Sequence, residues 1–337
     1  MQMVMMGTGP FAVPTFRALD AARHQIVALA TGPLRTHRGK PVEPISSIRE
    51  VAQQHGTPVL DPEDINAPDS QLRLAAYHAD LLVVCDYGQI LAPATLAAAR
   101  LGGVNLHASL LPKYRGAAPI NWAIYNGDTE TGVTVIHMTP RIDAGPCIGQ
   151  TRVAIGPDET AAELEVRLAE IGARLVCESI DLLESGRVEA IPQDATLASK
   201  APRLKKTDGA IDWSRPAAAI KNHIRAMEPW PKTYTFWHRA DGPAVRLILG
   251  PVSLWCRRPA CPNTCPIAGG TPAPQENAAA PGTVLEATGD RLVIAAGRDA
   301  VMPSSVQPSG KRPMPIAEFL RGYHVRVGDR FGADSQE

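Results

Sequence analysis

Apolar residues run in short unbroken blocks through the first half of the chain. Met1–Met6, Ile26–Ala30, residues 57–60, Asp80–Cys85 and Gly103–Leu106 each read as a strand without polar alternation. Helical patterns separate them: one from Phe11 through Phe16 and Leu19, then 43–55, 69–77 and a short one from Pro93. Strands of this kind, alternating with helices, predict a mostly parallel sheet buried on both faces. The pattern then changes. Ala118–Tyr125 is helical, Thr131–Met138 alternates like a half-exposed strand, and Cys147–Val153 forms another strand. Thr160 and Glu163 make a capping box that opens a long helix to about Ser185, with Leu164, Leu168, Ile171, Leu175 and Ile180 as its core stripe. Residues 186–206 have no period and a basic end, and read as a linker. Beyond Ile211-Asp212-Trp213 and a helix over Pro216–Ala226 come short strands: Thr233–Trp237, Val245–Leu249, Val252–Trp255, Gly282–Ala287, Arg291–Ala295 and Ala300–Val306. With their Gly, Pro and Asp turns they predict a small β-barrel over 207–330, interrupted at 259–281 by a flexible Pro/Gly/Ala insertion. The expected domains are therefore 1–185 and 207–330, and no internal repeat is present.

The first strand runs into Gly7-Thr8-Gly9-Pro10-Phe11-Ala12, which has the form G-x-G-x-x-A. A dinucleotide fold of that form carries an acid at the end of its second strand, for a ribose hydroxyl. Here that strand ends in Thr31-Gly32-Pro33. The glycines therefore speak for turn geometry and close helix packing, and NAD is not expected. Asn105 and His107 hold the clearer chemistry. In an extended chain, side chains at i and i+2 share a face. An amide and an imidazole thus project together from a strand end, where ligands of parallel sheets bind. A donor beside a group able to take a proton suits acyl-type transfer: a polarised carbonyl and a nucleophile that must lose a proton. Asp143, in the loop Arg141-Ile142-Asp143-Ala144-Gly145-Pro146, is the candidate orienter of that imidazole.

Composition narrows the class. The 337 residues are 45% apolar, ordinary for a chain with a proper core. No segment reaches the roughly 18 apolar residues of a membrane span, and the amino terminus has no basic leader, so a cytoplasmic location without membrane contact is expected. Cys85, Cys147 and Cys177 sit in apolar or mixed runs and read as buried thiols; Cys256, Cys261 and Cys265 lie in the proline-rich insertion without a nearby histidine, and no metal is expected. The zero net charge hides an asymmetry. Residues 1–185 carry 14 Lys and Arg against 20 Asp and Glu, a net of −6; residues 186–337 carry 20 against 14, a net of +6. A basic second half suits a polyanionic partner. The loop at 31–45, with Arg35, His37, Arg38 and Lys40, lacks an apolar period and suits a basic finger for phosphates.

Asn105 through Ile120, then Asp128-Thr129-Glu130-Thr131-Gly132-Val133-Thr134 and Asp143-Ala144-Gly145, resemble the formyltransferases that use 10-formyltetrahydrofolate. Ile211-Asp212-Trp213, Arg225 through Pro231, and Gln307-Pro308-Ser309-Gly310-Lys311 narrow the resemblance to the methionyl-tRNA formyltransferase family. It covers nearly the whole chain. It implies a Rossmann-like formyl-transfer domain followed by an OB-like barrel that helps hold tRNA, with 10-formyltetrahydrofolate as donor and initiator methionyl-tRNA as acceptor. It matches Asn105, His107 and Asp143 to the catalytic trio, and Ser109, Leu110, Leu111 and Pro112 to the folate-binding segment. Arg35, Arg38 and Lys40 of the basic loop, and Lys205 and Lys206 of the linker, become expected tRNA contacts, in a chain expected to act as a monomer. Two departures stand out. The loop before Arg38 lacks the family's Pro-Asp-Arg-Pro start, and the insertion at 256–281 has no counterpart in it.

The implied reaction places the formyl carbon under attack by the free α-amine of methionyl-tRNA. In it Asn105 donates to the formyl oxygen as charge develops there, His107 assists proton loss from the amine, stabilises the oxyanion, or does both, and Asp143 orients the imidazole. A sugar-nucleotide N-formyltransferase shares the first domain, and Asn121-Trp122 and Asn126-Gly127 suit it, but its small acceptor needs no basic linker or loop. A folate-binding or hydrolysing module needs no tRNA-facing half. An RNA-binding barrel without enzymatic activity leaves the trio unexplained.

Overall fold

The computed structural model describes residues 1–34, 36–37, 40–41, 47–239, 242–255 and 279–334, with backbone alone at 36–37 and 40–41. The chain divides into two compact units: Met1–Ala123, Thr129–Gly156 and Glu163–Arg203 form the first, and Ile124–Asp128, Pro157–Ala162 and Leu204–Glu337 the second. No helix among the described residues is long and apolar enough to cross a membrane.

The first unit is built on a seven-stranded sheet. Its strands are β1 (Gln2–Met6), β2 (Gln25–Ala30), β3 (Val59–Leu60), β4 (Leu81–Cys85), β5 (Gly103–His107), β6 (Glu130–His137) and β7 (Cys147–Ala154), in the spatial order β7-β6-β5-β4-β1-β2-β3. Pairing is parallel from β3 to β5 and antiparallel across β5-β6 and β6-β7. The apolar runs behave as their lack of alternation predicts. β4 is buried at all five positions, and Met3, Val4, Met5 and Met6 of β1 are fully buried. Helices α1 (Ala12–Asp20), α2 (Ser47–Gln54), α3 (Pro68–Ala75), α4 (Pro93–Leu96), α5 (Pro119–Asn126) and α6 (Ala161–Glu184) connect or follow the strands. The sequence changes direction at β1, whose neighbours are β2 and β4. Such a switch point opens a crevice beyond the strands' carboxyl ends.

The segment expected as a linker, 186–206, belongs to the first unit as far as Arg203. Lys200–Ala201 pairs in parallel with Arg115–Gly116, and Cys147 bridges to Ile191.

The second unit carries α7 (Ala217–Ala226) and two antiparallel sheets. One contains β8 (Tyr234–His238), β9 (Val245–Leu249), β14 (Ser305–Pro308), β15 (Met314–Pro315) and β16 (Arg330–Gly332); the other contains β10 (Val252–Trp255), β11 (Val284–Thr288), β12 (Arg291–Ala295) and β13 (Ala300–Pro303). A bridge between Thr283 and Arg330 joins the two sheets into a small barrel. Trp213, Ile220, Trp237, Leu247, Leu292, Phe319 and Phe331 fill its core. The predicted strand Ala300–Val306 is not one strand. At Ser304 the chain leaves one sheet for the other, and Ser304 is held there by Pro251 through its N–H and its hydroxyl. Helix α8 (Ile316–Gly322), which seats Phe319, had no counterpart among the predicted elements.

Candidate active site

β5 brings Asn105 and His107 to one face at its carboxyl end, as their spacing predicts. The loop after β6 then lays Asp143 across them. Asn105 donates from Nδ2 toward Asp143 Oδ1 at 3.4 Å, and His107 Nδ1 stands 3.6 Å from Asp143 Oδ2. Asp143 Oδ2 also accepts the Gly116 N–H at 2.9 Å. His107 is only 6% exposed. Its Nε2 lies 2.8 Å from the Tyr114 carbonyl. A carbonyl only accepts, so Nε2 carries a proton, and Nδ1 is the nitrogen left to exchange one beside Asp143.

The turn that presents Asp143 is held against its own preference. Asp143 has φ +50°, a region in which a residue with a Cβ is strained. Gln193 holds it there, donating Nε2 to the carbonyls of Asp143 and Gly145 at 2.8 and 2.7 Å. Arg115 in turn donates to Gln193 Oε1 at 2.7 and 3.2 Å, which fixes the amide the right way round. Gly145 passes so close to the His137 carbonyl that a Cβ would sit 1.7 Å from that oxygen. Gln193 and Arg115 were missed as site residues by sequence reasoning. Gln193 lies in a stretch with no period, and nothing local relates it to a loop 50 residues earlier.

A cavity of about 570 Å³ opens at the carboxyl ends of β4 and β5. Asn105, His107 and Asp143 line it together with Gln89–Leu91, Met138–Ile142 and the start of α5. Ser109–Pro112 do not line it. Ser109 is fully buried and donates to the Lys113 carbonyl at 2.6 Å; Thr134 donates to the Ser109 carbonyl, and Gln150 to the Leu111 carbonyl. The segment forms a fastened bend behind the wall, next to the Tyr114 carbonyl that engages His107.

Two further carboxyls face the cavity, Asp86 after β4 and Glu165 on α6. Asp86 is open to the cavity, yet the protein around it withholds enough solvent to push its carboxyl up to about 6, against the opposing effect of a hydrogen bond from the Gly9 N–H. Glu165 is also held above the ordinary range, by burial and then by the charge of Asp86.

Lys205 and Lys206 are exposed. Lys206 borders a second hollow of about 270 Å³, with Tyr234, Phe236 and Arg246; the Arg246 guanidinium lies 4.1 Å over the Tyr234 ring. Arg35, Arg38, the Lys40 side chain, Cys256, Cys261, Cys265 and most of the 259–281 insertion lie outside the described residues. Cys85, Cys147 and Cys177 are free thiols, Cys85 buried and the others half-buried. Among the described residues one group could hold a metal ion, His24, Asp181 and Glu184; there Arg23 pairs with both carboxylates and the amino terminus with Glu184.

An amide, an imidazole and a carboxylate in an α/β crevice are an arrangement suited to group transfer, and comparison with known proteins gives the family. The formyl transferase model matches residues 1–180, and the formyl transferase C-terminal domain model matches residues 203–324. The chain belongs to the formyl transferase family. It is 42% identical to the methionyl-tRNA formyltransferase of Rhodopirellula baltica, covering 97% of this chain and 95% of that protein. It is 36% identical to the methionyl-tRNA formyltransferase of Geobacter sulfurreducens, covering 98% of this chain and 97% of that one. Among solved structures, its fold is similar to an N-formyltransferase from Helicobacter canadensis in complex with folinic acid and dTDP-3-aminofucose. That match has a TM-score of 0.59 at 17% identity and covers 89% of this chain and 98% of the other.

Proposed function

We propose that this chain transfers the formyl group of 10-formyltetrahydrofolate to the α-amine of initiator methionyl-tRNA, giving the N-formylated aminoacyl-tRNA used to start translation. The observation that carries this is the convergence of Asn105, His107 and Asp143 on one cavity, in a chain similar over nearly its whole length to methionyl-tRNA formyltransferases. The donor occupies the cavity, with its formyl oxygen at the Asn105 amide. That donor strengthens as the oxygen becomes an oxyanion, an effect worth about 3–4 kcal/mol for one such group. His107 Nδ1 takes a proton from the attacking nitrogen, and Asp143 orients the ring and supports its charged form. The folate segment, Ser109–Pro112, acts from behind the wall by fixing the bend that carries the Tyr114 carbonyl. The arrangement needs no metal.

The barrel serves the tRNA. Lys206 and Arg246 beside Tyr234 and Phe236 combine cations with aromatic faces, as surfaces that hold single-stranded nucleic acid do. With Lys205 and the basic loop of Arg35, Arg38 and Lys40, they form the proposed tRNA contacts. Residues 1–185 are proposed as the catalytic domain and 207–330 as the tRNA-binding domain, with 186–206 between them and the chain acting as a monomer in the cytoplasm. A sugar-nucleotide acceptor is the competing reading, and it gives this basic, aromatic hollow no task.

The test offers 10-formyltetrahydrofolate with three acceptors: charged initiator tRNA, an amino-sugar nucleotide and water. Transfer to the tRNA is expected, falling at least a hundredfold in Asn105→Ala, His107→Ala and Asp143→Ala. Replacing Lys205 and Lys206 by alanine is expected to weaken tRNA binding and to flatten its salt dependence. Preferred transfer to the sugar nucleotide refutes the acceptor assignment. Near-normal turnover in any trio variant removes that residue from the mechanism.

A further inference from the structure

We propose that Asp86 is a second proton acceptor in this reaction: it receives the acceptor's amino group in the cavity as an ammonium and takes the first of the two protons that nitrogen must lose. The inference rests on the amino-acceptor reading above and adds a residue to it.

Position is the first argument. Cys85 of β4 pairs with Leu106 of β5, so Asp86 follows β4 at the level of His107, the last residue of β5. Both line the same cavity, and Asp86 is exposed within it. The second argument is partnership. The Asp86 carboxyl has the Gly9 N–H, and no cation among the described residues favours its ionised form. Its Oδ2 lies over Gly9, while Oδ1 stands farther off. Capping that N–H needs only one neutral acceptor, which asparagine or serine supplies. A carboxylate at the cavity wall, raised by desolvation and lacking a counter-ion, is instead poised for a cation. Glu165 on α6 also lines the cavity, its carboxyl raised by burial and then by the charge of Asp86.

Chemistry supplies the third argument. An α-amine has an ordinary pKa of about 7.7–8.0, so near neutrality it arrives mostly as an ammonium, which cannot attack. One N–H proton passes to Asp86, and the freed lone pair forms the bond to the formyl carbon. The attacking nitrogen then loses its second proton on the His107 side. As the bond from carbon to the folate N10 breaks, N10 keeps that electron pair and gains a proton. The product amide keeps the last N–H, Asp86 returns its proton to water, and one proton is released per ammonium consumed.

The groups facing Asp86 are the Gly9 N–H from the β1–α1 turn, Cys85 and Tyr87 on its own strand end, and Glu165 from α6. His107 and Asp143 lie across the cavity, with Arg141 and Arg203 among its lining residues. Neither thiol nor phenol ionises near neutrality here, since desolvation raises the Cys85 thiol far up and the Tyr87 hydroxyl to about 12.

The experiment measures kcat and KM for charged initiator tRNA from pH 5.5 to 9.0, at saturating 10-formyltetrahydrofolate. It compares the wild-type protein, Asp86→Asn and Asp86→Ser, which keep an acceptor for Gly9, with thermal unfolding as the control for folding. Without the carboxylate, turnover depends on amine already neutral, about 6% of the total at pH 6.5 for a pKa near 7.7. The expected result is a loss in kcat/KM of about tenfold at pH 6.5 that closes to less than twofold at pH 9.0. A deficit equal at all pH values, or no deficit, in whichever variant folds overturns the proposal. A wild-type protein that formylates no methionyl-tRNA at any pH overturns the functional reading instead.

Discussion

Replacing Gln193 by alanine tests whether the Asp143 turn is held from outside itself. The substitution removes two hydrogen bonds to the carbonyls of Asp143 and Gly145 and leaves the Arg115 guanidinium without its acceptor. Each neutral hydrogen bond contributes about 1 kcal/mol net, so the clamp contributes about 2 kcal/mol. The left-handed backbone at Asp143 costs about 1–2 kcal/mol, so without the clamp only the Gly116 N–H and the Asn105 amide on its carboxylate oppose that cost. A loss of about 2 kcal/mol lowers the population of the aligned turn by up to roughly thirtyfold. The expected result is a kcat reduced about 10- to 30-fold. KM for tRNA is expected to change less than twofold, because the proposed tRNA contacts lie elsewhere. The melting temperature of the first unit is expected to fall by about 4–8 °C. Steady-state formyl transfer and thermal melts on the same preparation provide all three. A kcat within twofold of wild type refutes the claim that Gln193 holds the site in register.

Gly145→Ala is expected to be worse. Its Cβ meets backbone, the His137 carbonyl, and neither side can step aside cheaply; loss of transfer with a melting temperature lowered by more than 5 °C is expected, and an unchanged melt refutes the packing argument. Asp80 provides a pH test of stability. The Gln2 N–H, then the Arg100 guanidinium, hold its carboxyl below the usual range. A folded-state value below the unfolded one stabilises the protein above the unfolded value of 3.8, and that contribution is lost as pH falls through the folded value. Asp80→Asn should therefore melt lower than wild type at pH 7, with the difference shrinking below pH 3.8; a pH-independent difference contradicts the assignment.

The sheet of the first unit was legible because a parallel strand buried on both faces is apolar where it is buried, as β1 is from Met3 to Met6 and β4 is throughout. The barrel was less so. Ala300–Val306 reads as one strand, yet its halves belong to different sheets, and the break falls at the polar Ser304-Ser305 pair after Pro303. In the site, Asn105 and His107 were readable because a strand's two-residue period fixes their common face. Asp143 was readable because Gly145-Pro146 marks a turn. Gln193 and Arg115 were not, since their contribution depends on a segment without period folding back over the turn. The bend at Ser109–Pro112 shows a related limit: the motif marks a segment beside the cavity, but its Ser109 hydroxyl is spent on the Lys113 carbonyl and the Leu111 backbone on Thr134 and Gln150.

The glycine turn carries the same argument to its end. In a dinucleotide fold, glycine after the first strand lets a pyrophosphate approach the backbone. In this chain the space before Gly9 is taken by the protein's own Asp86, whose Oδ2 lies 1.7 Å from where a Cβ would be. A phosphate there would meet a carboxyl of like charge, and the turn's Gly9 N–H already has its acceptor. Gly7 is equally constrained by protein, with Ala12 and the Cys85 carbonyl both inside 3 Å of its missing Cβ. The pattern G-x-G-x-x-A therefore records that something comes close to the backbone, and leaves open what it is. Here it is a carboxylate at the wall of the cavity that His107 also lines.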